Sequence, residues 1–358
     1  MKLIATASGT GFGPTSALAY FLEWAADRDD IEIEIDVPTP VANVLRPLVR
    51  PEWHLTTRSN ESGTTSIPSG EGAVVVNFGR TELLSAEPLW DHHLFIDCVG
   101  WLNSAALTPM TRSSSRITAL VEYFPPLRSP TVSAGFQLIR PCIRRSVRGG
   151  GLFHHVLLSL GGGIFPDIRM TEHPLFSVAQ KMQVLARRGI PFTPIVCSGG
   201  GTATDGLCTF PLATHRKLIQ TARIVIAVPG LYTVFETLEA RRPLLLLPPT
   251  NYTQSVQYTW YRNQGLVTNA LDWLSLLDLP PVVPEILTPA DEREFTSNLR
   301  LKLGACDPDF IAKELRDAVA RIDAGCPPYA PALGESIIHH YLQPPLPPLE
   351  SLLHDILS

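Results

Sequence analysis

The sequence predicts an α/β protein made of two domains, each with a parallel β-sheet. Its 358 residues correspond to about two domains at roughly 150 residues per domain. A run of strand, glycine turn, helix and strand begins at Lys2, and the same kind of run begins again at His155. Because a helix between successive strands implies parallel pairing, we expect two Rossmann-like domains that face each other across a cleft.

The composition is that of a globular protein with short secondary-structure elements. Hydrophobic residues make up 45% and charged residues 18%, which is unlike a disordered chain. The 33 prolines argue against a helical bundle or a long coiled coil. The formal net charge of −5 offers no basic excess for nucleic acid, and no apolar run reaches the roughly 18–20 residues of a membrane span. We therefore expect a cytoplasmic protein without a membrane span or a nucleic-acid partner.

Cysteine and histidine spacing gives no sign of a metal site. The six cysteines include no CxxC pair, so reduced and mostly buried thiols are expected rather than a zinc site or a disulfide framework. None of the ten histidines belongs to an HExxH motif, and a GxSxG elbow is absent. We expect no bound metal and no cofactor.

The first predicted domain covers residues 1–145. Its first strand, Lys2–Ala7, leads into a glycine turn and a helix beginning near Pro14. The segment Ile31–Val37 alternates apolar and acidic residues, which is typical of a strand open to water on one side. Residues 38–72 lack a clear period and are predicted to be a long loop. Further strands are expected at Ala73–Asn77, Leu94–Asp97, Ile117–Tyr123 and Thr131–Ile139.

The second predicted domain covers residues 150–330 and follows Arg144–Gly151, a basic and then glycine-rich segment that we expect to be the hinge. The chain after 330 ends in two apolar helical segments separated by prolines, and we expect the helices at about 335–358 to pack back on the first domain. In the second domain, strands are expected at His155–Leu160, Ile195–Cys197, Arg223–Val228 and Leu244–Leu247. Helices are expected at Leu175–Arg188, Pro211–Thr221 and Tyr232–Ala240.

The amino-terminal glycine turn is a candidate binding element. It consists of Gly9, Thr10, Gly11, Phe12 and Gly13. A GxGxxG dinucleotide motif beginning at Gly9 would need glycine where Pro14 stands, which weakens an NAD or FAD interpretation. A turn without side chains still lets a ligand approach the backbone and the positive end of the next helix. We expect the turn to bind the acceptor; alternatively, its glycines only permit a tight connection.

A second strand, turn and helix unit carries the strongest signal. A strand ends at Gly230, a helix begins at once, and Glu236 lies between one and two turns into it. The amides of Leu231, Tyr232 and Thr233 could bind a diphosphate at the start of that helix. The Glu236 carboxylate would repel phosphate, but it could accept hydrogen bonds from two ribose hydroxyls. This predicts a nucleoside diphosphate site; the alternative is an ordinary unit with a solvated glutamate.

This segment resembles the donor-site signature of GT-B glycosyltransferases, above all the lipid I N-acetylglucosaminyltransferase family. The resemblance is specific over about 210–265 and looser over 2–14 and 155–163. The stretch from Phe95 to Trp101 is also similar to cytosylglucuronic acid synthase-like enzymes of antibiotic pathways. The matching donor-site residues are Gly230, Thr233, Glu236, Pro243, a leucine-rich strand ending at Pro248, and the glutamines ahead of Gly265.

The resemblance implies a role for each part of this segment. The helix start at Gly230 to Thr233 would bind the diphosphate and Glu236 the ribose. Gln254 or Gln257 would bind donor-sugar hydroxyls. The uracil would lie on Phe210, Pro211 and Leu212. The glycines after the first strand of the same domain, Gly161 and Gly162, complete the expected donor site.

Two departures from the family pattern affect the expected site. The family usually has adjacent glutamines, or an acidic residue beside glutamine, whereas Gln254 and Gln257 are three positions apart. Its amino-terminal turn ends in a histidine, whereas here Gly13 is followed by Pro14. The acceptor site and the base therefore have less support from the resemblance than the donor site.

Asp97 is the expected catalytic base. It ends an apolar strand at the edge of a sheet where α/β proteins bind ligands, and a desolvated carboxylate there would have a raised pKa. Alternatively, Asp97 caps the next helix or bonds loop amides. His92 and His93 are expected before this strand, at its outer end.

The sequence thus predicts an inverting glycosyltransferase that moves a sugar from a nucleotide donor, expected to be UDP-linked, to a small-molecule acceptor such as a nucleobase in natural-product biosynthesis. The nucleotide sugar would be a co-substrate, and the lack of an evident DxD motif argues against an obligatory metal. Two alternatives remain open. A UDP-sugar epimerase of the same fold would need further acid and base carboxylates. A non-catalytic auxiliary subunit would fit the missing histidine but not the retained Gly230 turn and Glu236.

Overall fold

A computed structural model describes most of the chain. The described residues are 2–8, 13–58, 73–80, 83–84, 92–97, 117–122, 136–142, 155–161, 173–189, 195–198, 207–208, 210, 212–267, 271–279, 282, 289–342 and 347–357. The chain divides into two compact units. The first comprises Met1–Ile143, Pro284–Ile286 and His340–Ser358, and the second comprises Arg144–Val283 with Leu287–His339.

The first unit contains a parallel sheet with the strand order β3-β2-β1-β4-β5-β6-β7 among its described residues. Its central strands β1 and β4 are buried along nearly their whole length, as their continuous apolar runs predict for strands covered on both faces. The strands are β1 (Lys2–Ala7), β2 (Glu32–Pro38), β3 (His54–Arg58), β4 (Val74–Phe78), β5 (His92–Asp97), β6 (Ile117–Glu122) and β7 (Phe136–Ile139).

Among the residues that the structure describes, three helices pack in the first unit. Helix α1 (Gly13–Ala25) buries Leu18, Phe21 and Leu22 on the face toward β1 and β4. Helix α2 (Thr39–Leu45) contacts β2 and β3 and continues into a short 3₁₀ turn. The helix nearest the end of the chain, Leu349–Leu357, contacts α1 through a hydrogen bond between Tyr20 and Glu350.

The structure corrects three sequence-based expectations in the first unit. Residues 38–72 are not simply a loop, because they contain α2 and the edge strand β3. Strand β2 is not open to water at Asp36, whose side chain is fully buried against arginines. His92 and His93 lie inside β5 rather than before it, and His93 is buried.

The second unit contains a parallel sheet with the order β10-β9-β8-β11-β12 among its described residues. Its strands are β8 (His155–Ser159), β9 (Ile195–Ser198), β10 (Leu207–Cys208), β11 (Ala222–Ala227) and β12 (Leu244–Leu246). Its helices are α3 (Phe176–Arg187), α4 (Leu212–Thr221), α5 (Leu231–Glu239), α6 (Tyr252–Asn263), α7 (Trp273–Leu276), α8 (Pro289–Ala305), α9 (Pro308–Asp323) and most of α10 (Pro331–Leu342). Leu349–Leu357 is therefore α11.

The predicted α/β class with two Rossmann-like parallel sheets is confirmed. In each sheet the strand order reverses at one point, between β1 and β4 in the first and between β8 and β11 in the second. Ligands of open α/β sheets bind outside the carboxyl ends of the strands at such a reversal. The two reversals therefore locate the candidate sites, one in each unit.

Two other expectations concern cysteines and membrane spans. Among the described residues, Cys142, Cys306 and Cys326 form no disulfide, but only Cys142 is buried, so the expectation of mostly buried thiols is wrong for these three. Within the same residues, none of the helices combines the length and the apolar character that a membrane span requires.

Candidate functional site

The turns that follow β8 and β11 pack against each other in the second unit. The Val228 amide donates a hydrogen bond to the Ser159 carbonyl at 3.1 Å. Gly161 has a φ of +45°, and a Cβ there would lie 3.0 Å from Cγ2 of Val228. Glycine is required at 161 by backbone conformation and by space, which explains why the first strand of this unit ends in glycine.

Helix α5 begins directly after the β11 turn and presents its amino terminus at the same end of the sheet. Gly230 is its N-cap, and no side chain caps the helix there. The first helical hydrogen bond runs from the Val234 amide to the Gly230 carbonyl at 3.2 Å. The amides of Leu231, Tyr232 and Thr233 precede that bond, at the positive end of the helix dipole. This arrangement suits an anionic ligand such as a phosphate.

Glu236 is held inside the second unit by an ion pair. The Nε of Arg216 on α4 donates to its Oε1 at 2.9 Å, and the two side chains are 14% and 8% exposed, respectively. The alternative of a solvated glutamate is therefore wrong. Because breaking a buried ion pair leaves one charge uncompensated, the pair fixes the position of the Glu236 carboxylate.

His215, next to Arg216 on α4, also lies at this end of the sheet. Its Nε2 lies 3.3 Å from Oγ of Ser159, the last residue of β8. Burial, together with the neighbouring Arg216 charge, lowers the pKa of His215 to about 4, so the imidazole is neutral near pH 7. Sequence reasoning missed both His215 and Arg216. The only available signal was a histidine and an arginine side by side on the helix before the Gly230 turn.

The two candidate glutamines lie on α6, which follows β12. Oε1 of Gln254 accepts hydrogen bonds from the Thr250 amide at 2.8 Å and from the Thr250 hydroxyl at 2.9 Å. Asn251 caps the helix by accepting from the Gln254 amide at 2.8 Å. The side-chain oxygen of Gln254 therefore stabilises the turn after β12. Gln257 lies about one helical turn further along α6 and is buried.

Several predicted binding residues lie outside the described residues: Gly9, Thr10, Gly11, Phe12, Gly162 and Pro211. Of the neighbouring positions, Gly13 is the first residue of α1 and Leu212 is the first residue of α4. Phe210 is half-buried. The acceptor turn and the uracil loop stay predictions.

In the first unit, Asp97 is the last residue of β5 and is buried. It thus lies at the carboxyl edge of the sheet, where the sequence placed it. Its assignment as the base stays a prediction.

A network of charged side chains fills the carboxyl edge of β1 and β2. The Asp36 carboxylate accepts from Nε of Arg58 at 2.6 Å and lies 3.7 Å from Nη1 of Arg80. Nη1 of Arg80 also donates to the Thr6 hydroxyl at 3.0 Å. Burial raises the pKa of Asp36, and the two arginines oppose that rise. Sequence analysis missed this network because its members are far apart in the chain.

The side chain of Asn77 holds the turn after β4, next to this network. The Arg80 amide donates to Oδ1 of Asn77 at 2.9 Å, and Nδ2 of Asn77 donates to the Arg80 carbonyl at 3.0 Å. Nδ2 of Asn77 also lies 3.1 Å from Nε2 of His93. Burial lowers the pKa of His93 to about 4. The described residues of both units include no group of histidine, cysteine and acidic side chains that could hold a metal ion.

No protein-family model matches the chain, and no curated protein matches it. Solved structures similar to it include spinosyn rhamnosyltransferase SpnG complexed with thymidine diphosphate, at 12% identity and a TM-score of 0.48, covering 100% of both chains. Glycosyltransferase VinC in complex with DTDP matches at 11% identity and a TM-score of 0.48, over 100% of this chain and 98% of the other. Arabidopsis thaliana UGT89C1 complexed with UDP matches at 11% identity and a TM-score of 0.44, over 90% and 100%, respectively. At this degree of similarity, function rests on the residues of the chain itself.

Proposed function

We propose that this chain is a GT-B glycosyltransferase that transfers a sugar from a nucleoside diphosphate donor, UDP being the expected nucleotide, to a small-molecule acceptor. The observation that carries the proposal is the amino terminus of α5 at the strand reversal, with the Glu236 carboxylate buried on the same helix and held by Arg216. An anion site and a hydrogen-bond acceptor on one helix match the two polar parts of a nucleoside diphosphate.

In this proposal, the α5 amides bind the diphosphate and Glu236 accepts hydrogen bonds from the ribose hydroxyls. Gln257 or the amide nitrogen of Gln254 contacts the sugar. The oxygen of Gln254 is already bonded to Thr250, which leaves its nitrogen for that role. The nucleobase would lie against Phe210 and the start of α4.

The proposed reaction is a single displacement at the anomeric carbon. An acceptor oxygen or nitrogen forms the new bond as the bond to the diphosphate oxygen breaks, which inverts the configuration. The acceptor proton passes to Asp97, and the diphosphate leaves with its charge stabilised by the α5 amides and dipole. Asp97 and the turn Gly9 to Gly13 are proposed as the contribution of the first unit.

The first test is nucleotide binding. Glu236→Gln should weaken UDP affinity about 10- to 150-fold, because a hydrogen bond to a charged group contributes about 1.5–3 kcal/mol. Glu239→Gln, on the same helix, is the matched control and should bind as the wild type does. Titration calorimetry measures the UDP affinity of the two variants. If Glu236→Gln does not fold, the double variant Glu236→Gln, Arg216→Gln replaces it, because it removes both charges of the ion pair. Equal UDP affinity in wild type and both Glu236 variants would contradict the ribose assignment.

The second test is turnover of UDP-sugars with nucleobase and polyketide acceptors. Transfer should require an acceptor and should invert the anomeric configuration. Asp97→Asn should reduce the rate with little effect on UDP affinity. Product formed from UDP-N-acetylglucosamine alone would indicate an epimerase instead, and UDP binding without turnover for any acceptor would indicate an auxiliary subunit.

A further inference from the structure

The pair formed by Ser159 and His215 lies at the end of β8, and the proposed function above gives it no role. Ser159 is buried and His215 is half-buried, and their side chains approach to 3.3 Å. Neither the glycine pattern nor the helix start at Gly230 requires a histidine at this position. The pair is a polar contact between the end of a strand and a helix.

Contacts through Val228 connect this pair to the turn that precedes α5. The Ser159 carbonyl accepts from the Val228 amide, and Oγ of Ser159 lies 4.0 Å from the position of a Cβ at Gly161. Gly161 in turn packs against Val228, two residues before the N-cap Gly230. The Ser159 hydroxyl, the Gly161 turn and the α5 amides therefore belong to one end of the sheet.

The charges around His215 come from the elements packed against α4, which are α5, β8 and β11. Arg216 is adjacent on α4 and is paired with Glu236 on α5, while Arg223 on β11 forms an ion pair with Asp323. The other titratable groups on these elements are His155 at the opposite end of β8, Lys217 on α4, and Tyr232 and Glu239 on α5. The Arg216 charge opposes protonation of His215, and burial lowers its pKa to about 4. A bound diphosphate would add negative charge at this end of the sheet and would raise the pKa of His215.

We propose that Ser159 and His215 form a phosphate-binding pair in which His215 takes up a proton from solvent when the nucleoside diphosphate binds. A neutral imidazole accepts the Ser159 hydroxyl hydrogen at Nε2. A protonated imidazole donates at Nε2 to Oγ, which turns the serine hydroxyl hydrogen toward a phosphate oxygen. The ligand would thereby gain a hydrogen bond and a nearby positive charge, which also suits the diphosphate as it leaves.

This inference rests on the proposed function, since it requires a diphosphate at α5. The expected result is that the affinity for the diphosphate ligand depends on pH. Because binding raises the pKa of His215 from about 4, affinity should increase as pH falls through the higher pKa of the bound state. The gain cannot exceed about tenfold per pH unit for one proton.

The experiment is calorimetric titration of UDP-glucose and of UDP between pH 5.5 and 7.5, in two buffers of different ionisation enthalpy. UDP-glucose is included because the terminal phosphate of UDP itself loses a proton near pH 6. In UDP-glucose this phosphate is bonded to the sugar, so the ligand does not titrate in this pH range. The wild type should take up a fraction of a proton on binding. His215→Gln should lose that uptake and bind about tenfold more weakly at pH 6, and Ser159→Ala should weaken binding in the same direction. His354→Gln on α11, an exposed histidine in the first unit, is the control.

The outcomes separate this inference from the function on which it rests. If UDP binds and Glu236→Gln weakens it, but His215→Gln and Ser159→Ala keep wild-type affinity and proton uptake, the phosphate-binding pair is wrong and the proposed function stands. If neither UDP nor UDP-glucose binds the wild type, both are wrong. Should His215→Gln fail to give a wild-type melting curve, Ser159→Ala decides the question, because it leaves the histidine in place.

Discussion

The carboxyl edges of the two sheets have the same strand reversal but different polar groups. In the first sheet, the Asp36 carboxylate pairs with Arg58 and Arg80 at this edge, and Arg80 also donates to the Thr6 hydroxyl. In the second, the edge carries the amide groups at the start of α5 and a neutral histidine bonded to Ser159. The same topology therefore supports two kinds of edge. The edge of the first sheet is stabilised by its own ion pairs, whereas the hydrogen-bond donors at the edge of the second sheet suit a bound anionic ligand.

The difference has a physical cause. Buried charges are stable only when they are paired with good geometry, so a network such as that of Asp36 tends to hold one arrangement. Backbone amides at a helix start carry no net charge that must be neutralised, and they favour an anion through the helix dipole. The two edges should therefore respond in different ways to substitution.

The largest expected effect is on the first edge. Asp36→Asn should reduce the free energy of unfolding by about 3–5 kcal/mol, because it leaves two arginines without their shared carboxylate. Urea denaturation followed by circular dichroism measures this. Asp30→Asn, in an exposed pair with Arg28, is the control and should leave the free energy of unfolding nearly unchanged, because exposed ion pairs contribute little. A loss as small as that of the control would show that the network does not stabilise this edge.

A smaller effect is expected at the two glycines of the second edge. Gly161→Ala should destabilise the protein by about 1–2 kcal/mol, because its positive φ and its approach to Val228 both exclude a side chain. At Gly230, where φ is −89° and the nearest atom to a Cβ is the Val228 carbonyl oxygen at 3.9 Å, alanine should cost less than about 1 kcal/mol. Thermal unfolding of the two variants measures the difference. Equal losses would contradict the stricter requirement for glycine at position 161.

The response to acid is graded with pH and involves His93, which contacts Asn77 in the first sheet, and His215 at the second edge. Burial lowers the pKa of His93 and of His215 to about 4, below the ordinary 6.5, so the unfolded chain binds more protons between these values. Stability should therefore fall as pH decreases from about 6.5 to 4, by at most about 1.4 kcal/mol per pH unit for each histidine. His173 is shifted in the same way and adds to the slope.

Comparison of His93→Gln with wild type over this pH range isolates the contribution of this histidine in the first sheet. The variant should show a shallower loss of stability on acidification, measured by urea denaturation at successive pH values. His354→Gln, with its exposed side chain, should follow the wild-type curve. A wild-type slope in the His93→Gln variant would contradict the assignment of a neutral, buried His93.

The sequence predicted those parts of the fold and site that depend on neighbours in the chain. The apolar runs of β1, β4, β8 and β11 and the glycine turn before α5 are local signals. The edge strand β3 was missed because its sequence, HLTTR, is half polar, and α2 was missed because it is only seven residues long.

Long-range pairing explains the remaining failures. Asp36 looked like a residue facing water, because its partner Arg58 lies 22 positions away and pairs with it only in the folded sheet. The partner of His215, Ser159, is 56 positions away, and neither residue belongs to a recognisable motif. Contacts of this kind arise from tertiary structure, which hydrophobic period and turn residues do not encode.

Helix α11 has a consequence for the order in which the protein forms. Its Leu349 and Leu353 are buried in the first unit, where Tyr20 bonds Glu350 and the Arg140 amide donates to the Pro347 carbonyl at 3.2 Å. In the chain, these residues come after all of the second unit. During synthesis, the second unit can therefore finish folding while the first still lacks a helix that covers its core. The unit that is translated first is completed last.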